Sequence, residues 1–418
     1  MKHRLKSWHV VFLLFLIIGT IYVFKGHTPE VYHTNQGCIA GEIMYKIEYK
    51  ASTDLHEEIK GALLKDDAAA AVAALLDKKG IKNYRIEVDS EVIKKGKDGQ
   101  GKKWKASADN TSWSRVNQGN VFGTYYQIKY KSTKNLHKDI KKTLADVDNA
   151  LSMFNKSSII SAFNENRDTI ANEMFTDVFN LAQEVSVRTD GAFDITVAPL
   201  VNAWGFGFKK GQQPDNAAVK EMLEYIGYKS VALVDGKLVK QDKRTTLDCS
   251  AIAKGYGCDA VARMLDKKGV ENYMIEIGGE VVTKGKNDRG EDWTIAISKP
   301  IEDTTASSNE HQAIISISGR GMATSGNYRN YYEIDGKKFA HTIDPRTGYP
   351  VQHSLLSATV VAENCAKADA YATAFMTLGL DKAIEICKEN NIEAFFIYSD
   401  ENRAYQTHAT EGFKKYFK

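Results

Sequence analysis

The tract Met264–Trp293, MLDKKGVENYMIEIGGEVVTKGKNDRGEDW, decides how the rest of the chain is divided. It carries the end of a helix and a short alternating strand, Tyr273–Ile277. The chain then passes through Gly278-Gly279 and the Asn287-Asp288-Arg289-Gly290 turn to a strand over Trp293–Ile297. Nearly the same tract, LLDKKGIKNYRIEVDSEVIKKGKDGQGKKW, occupies Leu75–Trp104 without a gap, at a constant offset of 189 positions. A second, looser match pairs Asn35-Gln36-Gly37, Gly41, Tyr49-Lys50 and Leu55-His56 with Asn117-Gln118-Gly119, Gly123, Tyr130-Lys131 and Leu136-His137. Two copies at one period do not make a solenoid, so the front of the chain reads as a partial, degenerate copy of a larger domain. The expected division is therefore a copy at 36–107, a polar linker at 108–118 and a main domain at 119–418. The copy has Asp89-Ser90 where the main domain has Gly278-Gly279, and it has nothing that corresponds to His341–Pro350. It is expected to serve as a spacer, a packing partner or an interaction module.

With 418 residues, 43% apolar and 26% charged, the chain can bury substantial cores. A net charge of +3 with no arginine stripe excludes a nucleic-acid surface, leaving small molecules or proteins as partners. Residues 1–25 form a separate segment, in which the apolar run Val10–Phe24 follows Lys2, Arg4 and Lys6. That run is at the short end for a bilayer crossing, and the preceding positive charges orient the remainder outside the cytoplasm. No small-residue cleavage site follows closely, so a retained membrane anchor is expected rather than a removed signal peptide. Five cysteines without a CxxC pair are no disulfide framework, and Cys38 stands too far from the apolar run for a lipoprotein.

Along the main domain, Val121–Tyr130 alternates as a strand, and Asn135–Phe154 and Asn172–Arg188 carry apolar residues at helical spacing. Gly191 stops the second helix, Asp215–Ile226 is amphipathic, and Asp235-Gly236 turns a hairpin over Val231–Val239. Thr246–Asp248 is expected to close a strand before a helix over Ala251–Lys268, interrupted early by Gly255 and Gly257. Ala313–Ile317, Tyr331–Ile334 and Leu356–Val361 read as strands, and Lys367–Thr377 and Leu380–Glu389 as helices. A hairpin, Ala394–Tyr398 with Arg403–Thr407, closes the chain. Helices and strands mix without a regular βαβ repeat, which gives an α+β fold.

Three stretches could carry chemistry. His341–Pro350, HTIDPRTGYP, holds an imidazole, a carboxylate and a guanidinium in a rigid loop after Thr324-Ser325-Gly326. It is either a site or a long turn in which Asp344 and Arg346 cap local backbone. Asp248–Gly257 joins a strand end to a helix start, where exposed N–H groups would admit a phosphate with Lys254 as counter-charge. Asp248 would then be a cap or a ligand contact. Neither dinucleotide fingerprint is present. Cys249 has no adjacent histidine and reads as a small buried residue rather than a nucleophile. Asp369 and Thr373, four apart, place two oxygens on one helix face, suited to Mg²⁺ or to a cap with an inward threonine.

Taken together, Asp190-Gly191-Ala192-Phe193-Asp194 with Pro199, Asp248–Gly257, Ile277-Gly278-Gly279, Thr324-Ser325-Gly326, His341–Pro350 and Ala368–Thr373 resemble the ApbE family of flavin transferases. The resemblance spans about Gly119 to Ala404 and implies T-fold-like mixed sheets with packed helices. It implies transfer of the FMN half of FAD to a threonine hydroxyl of an extracytoplasmic flavoprotein, with AMP released. The implied location is the outer face of a bacterial cytoplasmic membrane. By the same resemblance Ala192, Phe193, Asp194, Asp248 and Lys254 contact FAD, with Thr324, Ser325 and Gly326 also at that site. Mg²⁺ would be held by Asp369, Thr373 and the Ala251 carbonyl, with Ala372 as a further backbone contact. His341 would accept the threonine proton, with Asp344 and Arg346 shaping the site. Tyr328, Tyr331 and Tyr332 would stack on a ring or fill the core. Two other activities use the same residues: an Mg²⁺-dependent FAD pyrophosphatase giving FMN and AMP, and a flavin-binding or assembly protein without turnover.

Overall fold

The computed structural model describes the chain except residues 1–29, 40–42, 66–67, 89–90, 105–113, 133, 207–212, 301–310, 328–330, 335–336 and 403. The expected anchor lies outside the described residues, among which no helix is long and apolar enough to cross a membrane. The chain separates into two units, Met1–Thr111 and Ser112–Lys418.

In the first unit β1 (Val31–Ile39), β2 (Ile43–Ala51), β3 (Tyr84–Val88) and β4 (Glu91–Lys95) form an antiparallel sheet in the order β1-β2-β3-β4. The helices His56–Leu63 and Ala68–Lys78 connect β2 to β3. Alternation puts Tyr45, Ile47, Tyr49, Tyr84, Ile86 and Val88 on one face, where they bury against Ile59, Leu63, Val72 and Leu76.

The second unit is built on β5 (Ser114–Val121), β6 (Thr124–Lys131), β9 (Tyr273–Ile277), β10 (Glu280–Lys284), β13 (Arg320–Gly326), β16 (Leu355–Ala362), β17 (Glu393–Ser399) and β18 (Tyr405–Ala409). They form one antiparallel sheet in the order β18-β17-β16-β13-β10-β9-β6-β5. Three hairpins stand apart from this sheet: β7 (Val231–Val234) with β8 (Lys237–Lys240), β11 (Trp293–Ser298) with β12 (His311–Ile317), and β14 (Tyr331–Ile334) with β15 (Lys337–Ala340). The helices His137–Leu151, Glu173–Arg188, Ser250–Lys267 and Cys365–Leu378 pack beside the sheet, and α+β is the fold class.

The half of this sheet formed by β5-β6-β9-β10 repeats the order of β1-β2-β3-β4, and the polar pins repeat with it. Tyr49 Oη accepts from the Leu55 amide at 2.7 Å, as Tyr130 Oη does from the Leu136 amide at 2.8 Å. Asn83 Oδ1 accepts from Lys97 N and Asn272 Oδ1 from Lys286 N, both at 2.7 Å. Trp104 and Trp293 donate their indole N–H to the carbonyls of Lys95 and Lys284.

Four expectations need correction. The linker ends earlier than 118, because Ser114 already pairs with Lys131 and Asn117 is buried beneath Tyr130 Oη. Val121–Tyr130 is not one strand, because Phe122 and Gly123 both take positive φ and turn β5 into β6. No strand forms over Thr246–Asp248. The helix over Ser250–Lys267 is uninterrupted, since its glycines serve close packing: a Cβ at Gly255 would stand 2.5 Å from the Cys365 carbonyl oxygen.

Candidate active site

A cleft of about 760 Å³ opens in the second unit where the N-terminus of the Ser250–Lys267 helix, β10, β13, the His341–Pro350 loop and the Cys365–Leu378 helix converge. Ala192, Phe193 and Asp194 line it, as do Asp248, Ala251 and Lys254. So do Thr324, Ser325, Gly326, His341, Asp369 and Thr373. Segments as far apart in sequence as Ala192 and Thr373 therefore supply one surface. Ala372 is fully buried on the Cys365–Leu378 helix and does not line the cleft.

Asp344 and Arg346 also stand off the cleft. Arg346 Nε and Nη2 donate to the two carboxylate oxygens of Asp344 at 2.9 and 2.8 Å, a paired geometry that holds the guanidinium charged. Asp344 also accepts from the Arg346 amide. The pair therefore stiffens the turn that presents His341 and Thr342, and a direct catalytic contact is not its place. The His341 ring meets Phe206 edge to face, with centroids 6.4 Å apart. Trp204 pins the same loop from below through a 2.8 Å bond to the Gly348 carbonyl.

Asp194 faces the cleft with its oxygens already engaged. Oδ1 accepts from the Thr196 amide and hydroxyl and Oδ2 from the Tyr228 amide. Burial still pushes its carboxyl above the ordinary range. Asp248 accepts from the Ser250 amide at 2.8 Å, so it closes the start of the helix whose first turn lines the cleft. Cys249 is buried and its thiol is pushed up by burial, which removes it as a nucleophile.

The strongest electrostatic feature lies deeper. Asp369 is 2% exposed, and its Oδ2 accepts from the Gly255 amide at 3.1 Å. Burial raises its pKa against the pull of Lys254. Lys254 Nζ is bonded to Glu280 Oε1. Burial alone would depress the lysine, but the charges of Asp369 and Glu280 outweigh it and raise its pKa. Glu280 is 3% exposed, and burial and then Asp369 push its carboxyl up. Lys254 is thus not the open counter-charge expected from sequence, because its ammonium is bonded to Glu280 and lies in the field of Asp369. Beside them Ser325 Oγ and Thr373 Oγ1 are 3.2 Å apart, and Thr324 is bonded to Thr359.

Residues farther out set these positions. Asp259, on the same helix as Lys254, accepts from the Cys365 and Ala366 amides at 2.8 Å each. It thereby caps the helix that carries Asp369 and Thr373. Tyr256 ties its helix to Asp177 at 2.8 Å.

Sequence reasoning missed Glu280. It follows Gly278-Gly279, and its counterpart Glu91 follows Asp89-Ser90 in the front copy, so it looked like part of a shared hairpin. Phe154 and Thr377 also line the cleft unforeseen. Tyr328 lies outside the described residues, as do the side chains of Tyr331 and Tyr332, so the stacking expected of them has no structural description.

The model of the ApbE family matches residues 122–396. The FAD:protein FMN transferase of Haemophilus influenzae is 39% identical over 314 residues, covering 71% of this chain and 90% of that protein. The FAD:protein FMN transferase of Vibrio cholerae is 35% identical over 311 residues, covering 71% and 91%. Among solved structures, the flavin transferase ApbE from Vibrio cholerae aligns with a TM-score of 0.65 at 32% identity, over 73% of this chain and 99% of that one. The apo form of Pseudomonas stutzeri flavinyl transferase ApbE aligns with a TM-score of 0.66 at 31% identity, over 73% and 97%.

Proposed function

The chain belongs to the ApbE family and is an FAD:protein FMN transferase, and from that premise we propose that it moves FMN from FAD to a threonine hydroxyl of an extracytoplasmic protein, with the help of Mg²⁺. The observation that carries the reading is the single cleft in which His341, Asp248, Lys254, Asp369 and Thr373 meet.

The reaction breaks the bond between the two phosphorus groups of FAD at the oxygen that leaves with AMP. It forms a phosphoester to the threonine oxygen, and the threonine proton must leave. Phosphoryl transfer depends on alignment and on charge neutralisation at the non-bridging oxygens. The residues of the cleft fit a divalent cation: Glu280 has a buried carboxylate oxygen without a hydrogen-bond partner, and Asp369 and the Thr373 hydroxyl offer hard oxygen donors in the same cleft. Asp369, Thr373 and the Ala251 carbonyl would hold Mg²⁺, which would neutralise phosphate charge when bound. The first turn of the Ser250–Lys267 helix lines the cleft, and the positive end of its dipole favours an anion there. Met153, Phe193 and Phe206 give the apolar walls that a ring needs. His341, on the stiffened loop, is the base that takes the threonine proton.

The apolar run Val10–Phe24 supports an N-terminal anchor, with the catalytic unit on the outer face of the cytoplasmic membrane.

The test incubates the protein with FAD, Mg²⁺ and an exported flavoprotein substrate, then reads flavin fluorescence of the denatured target band while following AMP and FMN. A labelled band is expected, and His341→Ala should slow labelling by roughly 10²–10⁴-fold, the usual worth of a positioned base. Free FMN and AMP without a labelled band would assign a pyrophosphatase instead. FAD binding with no product would assign a carrier.

A further inference from the structure

The ligand set given above, Asp369, Thr373 and the Ala251 carbonyl, does not include Glu280. This residue starts β10 immediately after the Gly278-Gly279 turn, lines the cleft and is 3% exposed. Its Oε1 is bonded to Lys254, while its Oε2 is fully buried with no hydrogen-bond partner. A buried carboxylate oxygen left bare costs free energy, and a buried charge is normally paired or bound to metal. Lys254 already answers one oxygen. Asp369, 2% exposed, lines the same cleft, and the ammonium of Lys254 is bonded to Glu280. The bare oxygen of Glu280 thus belongs to a cleft that already offers a second buried carboxyl group, which is where a cation would satisfy it.

We propose that Glu280 Oε2 is a direct ligand of the divalent cation, so that this site has two carboxylates, Glu280 and Asp369, together with the Thr373 hydroxyl. Lys254 is then the element that keeps the two carboxylates from repelling one another before the cation arrives, and it holds Glu280 in the orientation that aims Oε2 at the metal. With both carboxylates ligating, the cation site gains affinity in the absence of FAD, because its charge is balanced by protein rather than by substrate phosphates.

The inference rests on the cation reading of the proposed function, and the experiment separates the two. Mn²⁺ is titrated into the detergent-solubilised full chain without FAD, and the free Mn²⁺ is read by electron paramagnetic resonance. Wild type is compared with Glu280→Gln, Glu280→Asp and Asp369→Asn, each checked for folding by circular dichroism. The expected result is Mn²⁺ binding at least about 10-fold weaker in Glu280→Gln, with Glu280→Asp intermediate because it keeps the charge on a shorter arm. Wild-type affinity in Glu280→Gln, with affinity lost in Asp369→Asn, would overturn the role of Glu280 and leave the cation site standing. Wild-type affinity in all three would overturn both. Should Glu280→Gln not fold, equal affinity of Glu280→Asp and wild type would overturn the proposal, and weaker binding by Glu280→Asp would uphold it.

Discussion

Lys254 has the long stem and charge of a residue that ordinarily reaches into water, yet its ammonium is committed to Glu280 and lies in the field of Asp369. Removing one member of such a cluster leaves like charges facing each other in a poorly solvated place. Lys254→Met is expected to destabilise the second unit by about 2–3 kcal/mol at pH 8, below the about 3–5 kcal/mol of a fully buried broken pair, since the lysine keeps 30% of its side chain exposed. The sign with pH follows from the carboxylates. Glu280 and Asp369 both have folded pKa values above their ordinary ones, so the fold favours their protonated forms, and stability from this pair falls as pH rises. Without Lys254 that dependence steepens, and the deficit of the variant should shrink toward pH 5. Denaturant unfolding at the two pH values checks this, and a deficit independent of pH would refute it. Asp369 and Thr373 were legible because a spacing of four on an apolar helix exposes two oxygens on one face. Glu280 was not, since no local pattern says that a hairpin residue will be carried under the lysine of another element.

At the scale of elements, the long helices were readable from their apolar spacing, and Asn172 and Asp215 cap the helices that follow them. Strand β13 escaped notice because Arg320-Gly-Met-Ala-Thr-Ser-Gly326 has no alternation of large apolar residues. Its small residues are there for contact: a Cβ on Gly321 would stand 2.3 Å from the Cys365 amide nitrogen. The same applies at Gly255, where the two site-bearing helices touch backbone to backbone. Composition alone presents such a glycine as a helix breaker, and only the neighbouring helix shows why it is needed. Gly255→Ala is expected to cost about 1–3 kcal/mol through overpacking and to push the Cys365–Leu378 helix outward, taking Asp369 from its bond with the Gly255 amide. Thermal unfolding together with Mn²⁺ affinity measures both effects. An alanine variant with wild-type melting and wild-type affinity would show that the helices have room to spare.

For the whole molecule, the duplication seen in sequence corresponds to two units with separate cores, one around Tyr49 and Val72 and others around Phe175, Tyr130 and Ile315. Separate cores predict separate cooperative transitions. Calorimetry of the full chain is expected to resolve two, and FAD with Mg²⁺ should raise only the transition of Ser112–Lys418, because the cleft lies wholly within it. Equal shifts of both would contradict that independence. The repeated pins also bear on synthesis. Strands with the same register, the same tyrosine clamp and the same asparagine pin could exchange partners, a recognised route to misassembly in chains with repeated modules. The two tracts lie 189 positions apart, and translation at about 5–20 residues per second separates their emergence by roughly 10–40 s. A small αβ module closes in milliseconds to seconds. The first hairpin has therefore found its own sheet before its twin leaves the ribosome, so the order of emergence keeps two nearly interchangeable templates from being confused.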